Sequence, residues 1–286
     1  MTPVTGSIHG GALVTIKGNG FGPATQISFG DYLCSIEEVT VNNIKCRTTK
    51  KSGSSRKKRS DNDLQTIKLT NNGVVFSDAS VSYTFAVSAT PTVSSVTPDN
   101  GEGGSIKITG SGFGIDQANL IVKVGKASCS ITSVSNTQIV CTVSAGKAGD
   151  QDIIVTRLDQ GDSNNNIQYK FSLAISSLSK TEGSIGGGLN LVISGSGFST
   201  DSIVTICDES CKILEASLNK IICQVPAAKN KGSDSSCSVF VTENKMTASS
   251  SFNYKLSLTP TLSSSSPARG GTGGGTLITI VGTGFP

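Results

Sequence analysis

Six of the eight cysteines in this 286-residue chain fall into pairs twelve residues apart: Cys34 with Cys46, Cys129 with Cys141, and Cys211 with Cys223. Thiols at that spacing suit a disulfide between neighbouring antiparallel strands joined by a short connection, whose Cα atoms fall within the roughly 4.4–6.8 Å such a bond tolerates. Cys207 and Cys237, which accompany only the third pair, are left to bond each other. The rival chemistry is a zinc site built from Cys207, Cys211, Cys223 and Cys237. It is disfavoured because Cys211 and Cys223 hold the twelve-spaced positions that recur where no other cysteine stands. Each such loop closure stabilises a small domain by about 3 kcal/mol. The bridges imply an oxidising compartment, so the chain is expected to be extracellular or on the cell surface, reached through the secretory pathway.

A second group of residues with chemical potential is the basic run Arg56-Lys57-Lys58-Arg59 before Ser60, preceded by Lys50, Lys51 and the small residues Gly53 to Ser55. This run supplies the net charge of +4, and without it the chain is near neutral. A DNA-contact loop conflicts with disulfides, so no nucleic-acid partner is expected. Two readings stay open: a solvated or polyanion-binding loop, and a furin-type processing signal on an accessible tip. On either, the Lys50 to Ser60 loop is expected to be exposed and the most protease-sensitive part of the chain.

Catalysis finds few parts. His9 is the single histidine and sits in a Gly-rich turn, which removes the usual base of a hydrolase triad and histidine metal sites. The acidic pairs Asp61/Asp63, Asp150/Asp152 and Asp159/Asp162 lack the dense oxygen-ligand spacing of a calcium loop and read as turn chemistry. There is no Trp to stack on a sugar, and Tyr32 is the one tyrosine outside the closing strands, a weak surface-contact candidate. The expectation is no enzyme, no cofactor and no metal.

The elements that carry these residues repeat. GNGFG at Phe21, GSGFG at Phe113, GSGFS at Phe198 and GTGF at Phe285 recur at spacings of 92, 85 and 87 residues, the length of a small β-domain. Short alternating runs such as Leu13–Ile16, Ile106–Ile108 and Leu189–Ile193 precede each copy and have the period of strands. The glycines suit a tight turn, the Phe a buried anchor, and no helix follows to make a phosphate loop. Tyr83-Thr84-Phe85, Tyr169-Lys170-Phe171 and Tyr254-Lys255-Leu256 read as the closing strand of each copy.

These marks divide the chain into domains at 1–88, 89–172 and 173–257, with the opening strands of a fourth at 258–286. The first copy begins near its Gly-rich turn and is expected to lack most or all of an initial strand. Met1 opens no signal peptide, and the chain reads as an excerpt of a longer protein. No apolar run is long enough to span a bilayer, so no membrane contact is expected within the segment. No Asn-x-Ser/Thr sequon occurs, so N-glycans are not expected, while Ser263 to Ser266 is a candidate O-glycan stretch or a plain polar linker.

A leading Pro-x-Val-x-Ser-Val-x-Pro, a Gly-Gly turn, a strand ending in Gly-x-Gly-Phe, then Cys-x-Ile and Ile-x-Cys resembles the IPT/TIG domain, the immunoglobulin-like fold shared by plexins and transcription factors. The second copy carries the fullest form: Pro91, Val93, Val96, Pro98, Gly103, Gly104, Gly110, Gly112, Phe113, Cys129, Ile131, Ile139 and Cys141. The third departs at Ser199 and in its extra cysteine pair. The resemblance implies an all-β chain of tandem early-type immunoglobulin-like β-sandwiches in an elongated array. Cysteine-bearing tandem copies look most like those of fibrocystin-like, plexin and hepatocyte growth factor receptor ectodomains, where they serve as stalks, spacers and ligand-contact modules.

The expected function is therefore a non-enzymatic extracellular structural or binding segment, a stiff spacer in a cell-surface or fibre-forming protein. A ligand-binding receptor or adhesion ectodomain is the alternative, and an accessory module of a carbohydrate-active enzyme a distant one. Expected partners are another protein or further copies of the chain, including head-to-tail assembly in which the tail strands complete the first domain of a neighbour.

Overall fold

The computed structural model describes residues 1–49, 62–164 and 166–285. The chain divides into two units, Met1–Gly146 with Asp150–Lys170, and Lys147–Gly149 with Phe171–Pro286. All of it is strand, turn and a few short 3-10 turns.

In the first unit, repeat 1 contains β1 (Thr5–Ser7), β2 (Leu13–Lys17), β3 (Gln26–Phe29), β4 (Tyr32–Val39), β5 (Asn43–Thr48), β6 (Asp63–Asn71) and β7 (Val74–Ala86), hydrogen-bonded in the order β1-β7-β6-β3-β4-β5-β2. Repeat 2 contains β8 (Thr92–Thr97), β9 (Asn100–Gly101), β10 (Gly104–Ser111), β11 (Leu120–Val124), β12 (Ala127–Ser135), β13 (Gln138–Val143), β14 (Gly149–Arg157), β15 (Gly161–Asp162) and β16 (Gln168–Phe171), in the order β8-β10-β13-β12-β11-β14-β16-β9. The path is continuous because one strand serves both layers of each sandwich. β4 pairs first with β3 (Ile27 opposite Cys34), then with β5 (Ile36 opposite Cys46), shifting register between Ile36 and Glu38. β12 does the same between Ile131 and Ser133. A bulge lets one strand bend from layer to layer.

Repeat 3, in the second unit, contains β17 (Ala174–Leu178), β18 (Glu182–Ser184), β19 (Asn190–Ser196), β20 (Ile203–Ile206), β21 (Glu209–Ser210), β22 (Lys212–Ala216), β23 (Lys220–Gln224), β24 (Ser235–Glu243) and β25 (Met246–Lys255). Here the crossing strand is broken between β21 and β22, and the two layers separate into sheets β17-β19-β23-β22 and β18-β25-β24-β20-β21. The tail forms β26 (Thr261–Ser266) and β27 (Thr279–Thr283), which pair with each other. Its apolar side chains Leu262, Leu277, Ile280 and Val281 are exposed.

Alternation fills the cores. Val14 and Ile16, Ile106 and Ile108, and Leu191 and Ile193 point inward from β2, β10 and β19, each next to the second cysteine of its pair. The Gly-x-Gly-Phe turn is pinned identically in each repeat: Gly110 N–H donates to Thr137 O (2.9 Å) and Phe113 N–H to Asn136 O (3.1 Å), with Gly18/Phe21 on Asn42/Val41 and Gly195/Phe198 on Asn219/Leu218. The second glycine needs its type, since Gly20, Gly112 and Gly197 have φ of 76°, 77° and 80°. The first lies under a strand: a Cβ on Gly110, Gly195 or Gly282 would collide with the carbonyl of Thr92, Ala174 or Thr261.

Two expectations need correction. The closing motif of repeat 3 is Phe252-Asn253-Tyr254 rather than Tyr254-Lys255-Leu256. Gly6 pairs with Phe85 and Gly183 with Tyr254, so Tyr254 stands where Phe85 does, and Phe252 where Tyr83 does. Leu256 already belongs to a 3-10 turn and is half exposed. The opening strand of repeat 1 is partly present: Thr2 bridges Thr15 through two backbone hydrogen bonds, and Pro3 follows a cis peptide, as Pro98 does after Thr97 opposite Lys107.

Phe113 and Phe198 are 1 % and 0 % exposed, whereas Phe21 is only partly buried. Phe113→Ala and Phe198→Ala should therefore cost their repeats about 3–5 kcal/mol, and Phe21→Ala distinctly less, read by urea denaturation followed by hydrogen exchange in each repeat. The Tyr254 hydroxyl donates to Pro226 O (2.8 Å), and burial, with the Glu209 carboxylate adding to it, pushes the phenol up to about 12. Because the folded value lies above that of the unfolded chain, this contribution is intact below pH 10 and lost as pH climbs towards 12. Tyr254→Phe should flatten that alkaline loss in a pH series of melts.

Candidate functional site

All eight cysteines are bridged: Cys34–Cys46, Cys129–Cys141, Cys211–Cys223 and Cys207–Cys237, with Cα separations of 5.4, 5.5, 5.5 and 5.1 Å. The twelve-spaced partners are diagonal. Cys46 stands opposite Ile36 and Cys34 opposite Thr48, so each bridge closes where the crossing strand changes layer. Cys129–Cys141 repeats this, and in repeat 3 the bridge spans the break between β21 and β22. Cys207–Cys237 ties the β20–β21 turn, where Cys207 and Asp208 both have positive φ, to β24.

The other candidates are structural. The Arg56, Lys57, Lys58, Arg59 and Ser60 processing candidate lies outside the described residues, as does Asp61. Tyr32 is buried, against the expectation of a surface contact: its ring packs 4.9 Å from Phe85 and its hydroxyl bonds Asp63 Oδ2 (3.1 Å). Asp152 accepts from Gln168, Asp159 pairs with Arg157, and Asp162 accepts from Thr156, all local ties across turns and hairpins. Among the described residues no group of three or more His, Cys, Asp or Glu is placed to hold a metal ion. None of their helices is long and apolar enough to cross a membrane.

Two polar assemblies stand out that no motif announces. The first joins repeats 1 and 2 within the first unit. The β14–β15 hairpin lies against the Gly-rich turn of repeat 1: Ser7 N–H donates to Gln160 O, Asp162 N–H to Gly10 O (2.7 Å), Leu13 N–H to Leu158 O (2.7 Å), and the Ser7 hydroxyl to Asp162 O. The backbones touch so closely that a Cβ on Gly161 would collide with the Gly10 carbonyl, and one on Gly11 with the Asp162 carboxylate. The connecting peptide is fastened as well, since Thr90 Oγ1 accepts from Ile8 N–H (3.1 Å) and donates to Ala86 O (2.9 Å). Thr259 makes the matching pair of bonds with Ile185 and Lys255 in the second unit.

The second assembly surrounds Glu243, whose side chain is 2 % exposed. Its Oε2 accepts from the hydroxyls of Ser199 (2.6 Å) and Ser202 (2.7 Å), and Lys147 Nζ reaches Oε1 (3.2 Å) and Asp201 Oδ2 (2.7 Å). The hydrogen bond to Asp201, and then that to Glu243, raise the Lys147 ammonium above its ordinary range. Ser199, the residue that departs from the pattern of the other turns, is thus the hydroxyl that satisfies a buried carboxylate. Asn244 Nδ2 donates to Ala148 O (2.8 Å) and Ala148 N–H to Gly197 O (2.9 Å) beside it. Lys147→Met should leave Glu243 without its cation and cost the second unit roughly 2 kcal/mol, less than for a fully buried pair because Lys147 keeps partial solvent access. Adding Glu243→Gln should recover part of that loss in a double-mutant denaturation cycle.

A family model for the IPT/TIG domain matches residues 1–86, 91–171 and 173–257. Fibrocystin-L of Mus musculus is 31% identical over 293 residues, and Fibrocystin-L of Homo sapiens 30% over 292, each alignment covering 100% of this chain. The chain spans 7% of the length of either relative. Among solved structures, the Plexin A4 extracellular region (domains 1 to 10) aligns over 93% of this chain and 29% of its own, with 15% identity and a TM-score of 0.31. Four disulfides mark an oxidising setting, outside the cell or on its surface. On the three segments matched by the family model, the chain belongs to the IPT/TIG domain family.

Proposed function

We infer that this chain is a structural spacer in a cell-surface or fibre-forming protein, holding whatever lies beyond it at a fixed remove, and that its first two repeats act as one stiff piece. The observation that carries this reading is the joint between them. A flexible string of domains needs linkers free of tertiary contacts. Here Thr90 fastens the connecting peptide to repeat 1, and three backbone hydrogen bonds tie the β14–β15 hairpin to the same turn of that repeat. Backbone contacts of this kind constrain orientation as well as distance.

Gly161→Val places a side chain where the Gly10 carbonyl sits, and Gly161 also has a φ of 111°. The variant should open the joint while leaving the cores of repeats 1 and 2 folded. Small-angle scattering on the protein is expected to give one narrow distance distribution for the parent and a broader one for the variant. Amide exchange at Leu13 and Asp162 should quicken by about tenfold or more. A parent distribution as broad as the variant's would overturn the stiff-spacer reading.

A further inference from the structure

Wherever the Gly-x-Gly-Phe glycine is covered, a strand covers it: β8 over Gly110, β17 over Gly195 and β26 over Gly282. In the first two, an aliphatic side chain from that strand, Val93 or Ile175, stands opposite the glycine and packs into its repeat. Repeat 1 has the same strand and the same turn with nothing across them. Among the described residues, β2 pairs along this edge through Thr2 alone. A Cβ on Gly18 would meet only the Phe21 ring, and one on Gly20 nothing within 4 Å, whereas Gly112 faces Pro91. In place of a crossing strand there is an apolar groove of about 460 Å³ lined by Met1, Ile16, Phe21, Leu69 and Phe76, with Lys17 at its rim.

We propose that this groove is a peptide-binding site: repeat 1 takes an extended segment of another protein as an added strand, antiparallel to β2 along Lys17 to Asn19. The register of repeat 2 defines the ligand. The residue opposite Gly18, in the place of Val93, is a Val or Ile that fills the groove. The residue opposite Lys17 takes the place of Ser95, which faces Thr109 in repeat 2; Ser177 faces Ser194 in repeat 3. Repeat 1 alone has a cation at this point of the strand, so an acidic residue there is favoured as a cross-strand pair. Main-chain hydrogen bonds supply the affinity, and the aliphatic and acidic positions the selectivity.

The test uses the intact chain and two synthetic peptides, the Ala89–Ser95 sequence and the same sequence with its last residue changed to Glu. Titration is followed by amide chemical shifts. Shifts confined to Lys17–Phe21 are expected, with the Glu peptide about threefold tighter at low salt and the advantage gone in concentrated salt. Lys17→Glu, a change on an exposed side chain, should abolish the preference or invert it towards a lysine-ended peptide. The absence of shifts in β2 at millimolar peptide, or equal shifts in β10 and β19, overturns the proposal. Protection of β2 that rises with protein concentration in the chain alone, with dimers in light scattering, would make a second copy the occupant and overturn it likewise.

Discussion

Each repeat is organised around one close approach: the carbonyl of its opening strand lies directly against the α-carbon of the first glycine in Gly-x-Gly-Phe. No side chain fits between them at Gly110, Gly195 or Gly282. That contact brings the opening strand low over the turn, and the turn, held by two amide bonds to the neighbouring hairpin, drives its Phe into the core. The rest of the sandwich follows from the same geometry. The glycine strand pairs on its other edge with the strand carrying the second cysteine, and that strand pairs with the one that changes layers. A repeat built this way is fixed by backbone proximity first and by side-chain volume second.

The bridges reinforce the one strand in each repeat that belongs to both layers. A bulged crossing strand is a natural place for two sheets to part, because its ladder is interrupted where the register shifts. The diagonal disulfide closes over that interruption. Repeat 3 shows what replaces continuity when the strand is broken outright: its layers separate into two sheets, and the additional Cys207–Cys237 bond holds the loosened β20–β21 turn to β24. The extra cysteine pair and the broken strand are therefore parts of the same local solution.

Much of this was legible in the sequence because it is periodic. The Gly-x-Gly-Phe phrase and the cysteine spacing mark the repeats without ambiguity, and the alternating runs identify β2, β10 and β19. Single aromatic letters misled. Tyr254 matches Tyr83 by eye but Phe85 by register, since the two buried aromatic positions of the closing strand exchange Tyr and Phe between repeats. Tyr32 looked isolated on the page only because its partners, Asp63 and Phe85, are remote in sequence. The joint between repeats 1 and 2 left no trace at all. It is made of main-chain groups at Ser7, Gly10, Leu13, Leu158, Gln160 and Asp162, and hydrogen bonds between backbones are written in no side chain. The Glu243 cluster was equally hidden, because Ser199 reads as a turn residue until the carboxylate beneath it is seen.

The joint also bears on how such a chain transmits twist. Two bodies connected by one peptide can swivel about it, because a single connection defines an axis. Repeats 1 and 2 are connected twice, covalently through the segment that Thr90 fastens and again through the β14–β15 hairpin. Two separated attachments leave no common axis about which to turn. Rotation applied to one repeat is therefore handed to the next rather than dissipated in the linker, and a chain assembled from such joints would behave under torsion as a shaft and not as a cord.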